Sequence, residues 1–222
     1  MAAAHFECYN RVTFHPKDIA MPWHLLGALG DSKLLLPTAL VTFACAEHHA
    51  RPAVRRWLLA VACAAGLVVL TKLAFMGWGL GSPALNFTGI SGHAMLSAAI
   101  YPLLGYGLGM GHSPRLARYF LLAGFALALL IAQSRVMTVA HSISESVVGF
   151  ALGSLVAAYG WRQWPPQAGM RTRVALLLIG GVALVFWALG SEYDVHQRIV
   201  DMAEKLSGEP EAYRREHLVQ PR

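Results

Sequence analysis

Carboxylates are nearly absent from the middle of this chain: between His48 and Ser191 the sole acidic residue is Glu145. Charge of either sign is scarce throughout, with 14% charged against 56% hydrophobic side chains in 222 residues. That balance excludes an ordinary soluble domain of this size and places most of the chain in lipid. Cysteine is sparse too. Cys45 and Cys63 fall in apolar runs and Cys8 stands alone near the start, which excludes a disulfide framework and a cysteine metal site. The sequence also lacks internal repeats, and its polar stretch from His5 to His24 has no continuous apolar core. No cleavable secretory signal is expected there, and the first apolar span is expected to direct insertion.

Six apolar stretches fill the rest, roughly Asp31 to Glu47, Trp57 to Thr71, Gly92 to Met110, Leu116 to Gln133, Ser142 to Trp161 and Val174 to Gly190. Several approach the ~20 residues that a helix needs to cross a bilayer. The predicted fold is therefore an all-α polytopic membrane helix bundle of about six transmembrane helices over residues 31–190. An interfacial segment, 1–30, precedes it, and an amphipathic polar tail, 191–222, follows. In the tail, Ile199, Met202 and Leu206 recur at helical spacing and predict a helix ending near Gly208. The stretch from Phe75 to Gly92, rich in glycine and holding Pro83 and Asn86, reads as a loop.

Basic residues set an orientation. Arg51, Arg55 and Arg56, then Arg115 and Arg118, then Arg162, Arg171 and Arg173 occupy alternate connections, and that face is predicted to be cytoplasmic. The connections near 72–91 and 134–141 are then predicted to share the opposite, outer face. These arginines also account for the formal charge of +6, through topology and contact with anionic headgroups rather than nucleic acid.

Three clusters fall on that opposite face: Lys72; Ser91, Gly92 and His93; and Ser134, Arg135, His141 and Glu145. Glu145 follows His141 by four positions, so on a helix the two side chains share a face, and an imidazole with a carboxylate partner is a chemical unit. Two cations, two histidines, a carboxylate and helix-starting amides are the parts needed to grip a phosphate and attack it. No metal or other cofactor is required. Ser142 and Glu145 also fit a capping box, a role that can coexist with the first. Gly149 and Gly153 predict close helix packing.

On these residues the chain resembles the type 2 phosphatidic acid phosphatase superfamily of membrane lipid phosphatases. Its third motif, Ser-Arg, five residues, His, three residues, Asp, is met by Ser134, Arg135 and His141, with Glu145 in the aspartate position. Its second, Pro-Ser-Gly-His, appears as Ile90-Ser91-Gly92-His93. Its first, a lysine followed after six residues by Arg-Pro, keeps Lys72 but has Gly79 and Leu80 at the later positions. The resemblance covers roughly residues 31–161. It implies that His141 attacks phosphorus to form a phosphohistidine, that Glu145 orients it, and that His93 protonates the leaving oxygen. Lys72, Ser91, Gly92 and Arg135 would hold the phosphate. It implies a lipid mono- or diphosphate substrate, entering from the bilayer. The arginine missing at 79 is expected to weaken phosphate binding, to alter substrate preference, or to be replaced by a neighbour such as Asn86, Thr88 or a lipid headgroup. Alternatives are a phosphotransferase with the same site, a catalytically weak lipid-binding member of the family, and a haem protein ligated by His93 and His141. The sequence leaves the oligomeric state and the lipid's identity open.

Overall fold

A computed structural model of the protein describes residues 16–189 and 195–218. Its helices are α1 (Pro16–Ala28), α2 (Ser32–Cys45), α3 (Arg51–Trp78), α4 (Gly92–Met110), α5 (Pro114–Met137), α6 (Ile143–Gln163), α7 (Thr172–Leu189) and α8 (Val195–Ser207). Single 3-10 turns lie at Pro83–Leu85 and Arg215–Leu218, and no strand forms among the described residues. The all-α bundle expected from the apolar runs is the observed fold, and each of the six runs is a helix.

Local chemistry explains where the helices start. Side chains of Asp31, Ser91, Ser113 and Ser142 each accept a backbone N–H from the first turn of α2, α4, α5 and α6, which satisfies donors that the helix itself leaves unpaired. Helix α3 runs further than its apolar core suggests. It continues past Lys72 through Leu73, Phe75 and Met76, so Lys72 sits inside the helix rather than at its end. Gly79 stops it at φ +68, donating its N–H to Phe75 and Ala74 carbonyls, a left-handed cap that glycine adopts without steric cost.

Helices α3, α5 and α6 are long and apolar enough to cross a bilayer, and a fourth crossing results if Pro22–Ala28 and α2, bent by 43°, form one broken span. By length and composition the structure thus holds three to four crossings. The other two runs differ in kind: the apolar stretch of α7, Thr172–Ala188, is shorter, and α4 is the buried centre of the bundle. Met95, Ser97, Ile100 and Leu103 of α4 are all essentially inaccessible, because α2, α3, α5 and α6 pack around it.

The seam between α4 and α6 depends on small residues. A Cβ at Gly149 would lie 2.6 Å from the Ser91 carbonyl oxygen, and one at Gly153 would collide with the Met95 carbonyl and come within 2.8 Å of Ala98. The spacing of these glycines therefore does what the sequence suggests, letting backbones approach. Further along the same seam the Trp57 indole, fully buried and packed against Gly160 of α6, donates to the Ala99 carbonyl at 3.1 Å. Gly153→Val is expected to lower stability by about 1–3 kcal/mol or more through overpacking, read as a fall in the thermal unfolding midpoint in detergent. Gly180→Val in α7, where nothing lies within 4 Å, should leave that midpoint unchanged.

Candidate active site

The ends of four helices meet around one cavity of about 700 Å³, lined by Lys72 of α3, His93 of α4, Arg135 of α5 and His141 of the α5–α6 turn. The turn is tight. After Met137 the N–H groups of Ala140 and His141 both reach back to the Arg135 carbonyl, at 3.0 and 3.1 Å, so His141 is folded over the end of α5. Val139 takes φ +56 to allow this, a conformation that is strained for a β-branched residue.

Behind His141 lies Glu145, whose side chain is wholly inaccessible. Its Oε1 accepts the Thr88 N–H at 2.7 Å and the Thr88 hydroxyl at 2.6 Å. Its Oε2 accepts the Ser142 N–H at 3.1 Å and an Arg215 Nη2 hydrogen at 2.7 Å, and stands 2.7 Å from His141 Nδ1. Ser142 and Glu145 form a complete capping box, so the cap and the histidine contact exist together on one carboxylate. With an ionised carboxylate as acceptor, Nδ1 carries the proton, and Nε2 keeps a free lone pair. Burial pushes the His141 imidazole below its ordinary pKa; its hydrogen bond to Glu145 opposes the shift, and the charges of Lys72 and Arg135 add to it. His141 is therefore neutral at neutral pH.

The cationic side of the cavity is held by packing. Gly89, at φ +146, presses on Lys72, whose Cγ would be 3.0 Å from an added Cβ. The end of α1 closes over Arg135, where a Cβ at Gly27 would stand 3.0 Å from Arg135 Nη1, and Tyr101 ties down the turn that follows by donating its hydroxyl hydrogen to the Leu29 carbonyl at 2.7 Å. Arg135 Nε is buried with no hydrogen-bond partner among the described residues. Such a donor, beside Lys72 in one cavity, suits an anion.

Of the residues singled out from sequence, Lys72, His93, Arg135 and His141 share the lining, and Glu145 backs His141. Ser91 and Gly92 adjoin them at the start of α4 without lining the cavity. Ser91 is fully buried, its N–H donating to the Glu145 carbonyl at 3.2 Å and its hydroxyl capping α4.

Sequence reasoning missed the outer wall. His196, Gln197, Val200 and Glu204 of α8, with residues 211–215, complete the cavity. Ile199 and Ala203 seat α8 on Leu73 of α3, and the Tyr213 N–H donates to the Met76 carbonyl at 2.7 Å. The amphipathic spacing of the tail announced a helix, but nothing in a polar sequence announced where its arginines go. The sole available signal was the side chain absent at Gly79.

No family model matches the chain, and no solved structure matches it significantly. Over 75 residues the chain is 35% identical to the phosphatidylglycerophosphatase B of Bacillus subtilis (strain 168), an alignment that covers 32% of this chain and 36% of that protein. Over 140 residues it is 38% identical to an uncharacterised 22.5 kDa protein in the cps region of Klebsiella pneumoniae, covering 62% of this chain and 67% of the relative. With that identity over two thirds of the relative's length, the chain is a membrane protein belonging to the family of the Klebsiella pneumoniae 22.5 kDa cps-region protein.

Proposed function

We propose that the protein is a membrane lipid phosphate or diphosphate phosphatase working through a phosphohistidine. The observation that carries this reading is His141, hydrogen-bonded through Nδ1 to the buried Glu145, with its cavity shared by Lys72 and Arg135. A nucleophile needs a lone pair, an orienting partner and cations where charge accumulates. All three are in place. The partial similarity to a phosphatidylglycerophosphatase supports a phosphorylated lipid as substrate.

In the proposed reaction Nε2 of His141 attacks phosphorus in line. The bond from phosphorus to the lipid oxygen breaks, and that oxygen leaves with the electron pair and takes the proton of the phosphate monoanion, relayed by His93. Glu145 stabilises the positive charge that builds on the imidazole. Lys72 and Arg135 hold the non-bridging oxygens, and Ser91 and Gly92 set the start of α4, whose positive end adds to the cationic field. His93, now neutral, accepts a proton from the water that attacks the phosphohistidine. Phosphate leaves with that proton, and both histidines are restored.

The reading includes a location. Lys72 lies near the end of α3, His93 at the start of α4, Arg135 at the end of α5 and His141 before α6, whereas Arg51, Arg115 and Arg162 lie at the opposite ends of their helices. With the arginine-rich end in the cytoplasm, the cavity opens at the periplasmic face of the inner membrane.

Purified protein is expected to release inorganic phosphate in EDTA from one or more of phosphatidic acid, phosphatidylglycerol phosphate, undecaprenyl diphosphate and lipid A phosphates. His141→Ala should reduce kcat by on the order of 10⁴-fold or more, and His93→Ala by about 10²–10⁴-fold. Transfer to a lipid acceptor with no release in its absence would instead identify a phosphotransferase. The acid limb of the kcat/KM profile should fall below 6.5, the ordinary imidazole value, because the unprotonated nucleophile persists to lower pH. A limb at or above that value would count against His141 as nucleophile.

A further inference from the structure

The guanidinium in contact with the buried Glu145 comes from the tail. Arg215 Nη2 donates to Glu145 Oε2 at 2.7 Å and to the Thr88 hydroxyl at 3.3 Å, while Nη1 donates to the Asn86 carbonyl at 2.9 Å and to Asn86 Oδ1 at 2.8 Å. One fork thus binds the carboxylate and the loop residue that also hydrogen-bonds it. With His141 neutral, Arg215 is the formal cation in direct contact with that carboxylate among the described residues. A buried ion held this way is costly to leave alone, and the planar, multi-donor geometry is one that lysine cannot reproduce.

Glycines after α3 make room for the segment that brings Arg215 in. A Cβ at Gly79 would lie 3.0 Å from the Tyr213 ring, and one at Gly81 2.7 Å from Leu218. Gly79 stands where the resemblance calls for arginine. A side chain there would meet the ring of Tyr213, two residues before Arg215.

We propose that Arg215 is a positioning residue: acting through Glu145 and Thr88, it fixes the carboxylate that orients His141, so the tail completes the active centre. Its effect on turnover rests on the phosphatase reading above. Its effect on His141 does not. The fork's four hydrogen bonds all go to protein atoms, so phosphate binding remains with Lys72 and Arg135.

The test compares full-length wild type, Arg215→Ala and Arg215→Lys in detergent, each checked for folding by thermal unfolding. The first readout is the pH dependence of His141 acylation by diethyl pyrocarbonate, followed by mass spectrometry of its peptide, which needs no turnover. Lys72, His93, Arg135 and Glu145, and His196, Glu204, Glu211 and Arg214 on the tail side of the cavity, remain unchanged in every variant. Arg215→Ala should raise the midpoint, since the negative charge of Glu145 then acts on the imidazole without its cation. Arg215→Lys should hold it near wild type. In phosphate release, Arg215→Ala should lower kcat about 10- to 100-fold through misplacement of the nucleophile, with KM little changed. Added guanidinium should restore part of the rate. A wild-type midpoint in Arg215→Ala would overturn the proposal, as would a raised KM with unchanged kcat, which would make Arg215 a phosphate ligand. If wild type releases no phosphate, the phosphatase reading fails, and the acylation midpoint alone decides the role of Arg215.

Discussion

A carboxylate sealed inside an apolar bundle must find its counter-charge and hydrogen bonds where it lies, because an unpaired buried ion costs several kcal/mol. Glu145 meets that demand with five close contacts drawn from separate parts of the chain: its own helix start at Ser142, the α5–α6 turn at His141, the loop after α3 at Thr88 twice, and the tail at Arg215. Each of these segments is held to the others through the same pair of oxygens. The loop from Pro83 to Thr88 is fastened a second time, where the Ser144 hydroxyl donates to the Leu85 carbonyl at 2.7 Å. Much of the architecture at this end of the bundle follows from keeping one negative charge satisfied.

The rest of the bundle supplies stiffness. Helix α4 is clamped against α6 through Gly149 and Gly153, and against α5 through Gly124, where a Cβ would lie 2.6 Å from the backbone of Tyr101 and Pro102. Close backbone approach fixes the start of α4, and with it His93, relative to the turn that carries His141. Strain at Val139 is confined to that turn. Rigid helices with a constrained connection are a good means of holding two imidazoles in one geometry, since side chains on packed elements have few alternatives.

Tail and bundle divide the cavity between them. The bundle contributes the inner wall, with Lys72, Arg135 and both histidines, while α8 and residues 211–215 contribute the outer one. Phe75, Met76 and Val200 add apolar surface, and Glu204 and Glu211 add carboxylates well away from the cationic pair in sequence. In the phosphatase reading, the tail shapes what enters the cavity while the bundle grips the phosphate.

By itself the sequence determined the helices and most of the inner site. Apolar runs, serine and aspartate caps and the glycine spacing are local or short-range signals, and they decide helix starts and seams without knowledge of the fold. The four-residue spacing of His141 and Glu145 is likewise helical geometry, so the pair was legible before any coordinates. Where α3 ends was less so, because Leu73 and Met76 continue an apolar surface that α8 covers, and a tertiary contact accompanies the helix beyond its obvious core. That α4 is the helix the others surround was likewise decided by packing. Thr88 and Arg215 were decided by tertiary structure alone. Thr88 precedes Glu145 by 57 residues and Arg215 follows it by 70, and no periodicity links positions that far apart. Their meeting depends on Tyr213 and Leu218 settling against Gly79 and Gly81, a fit of shape that one-dimensional spacing does not encode.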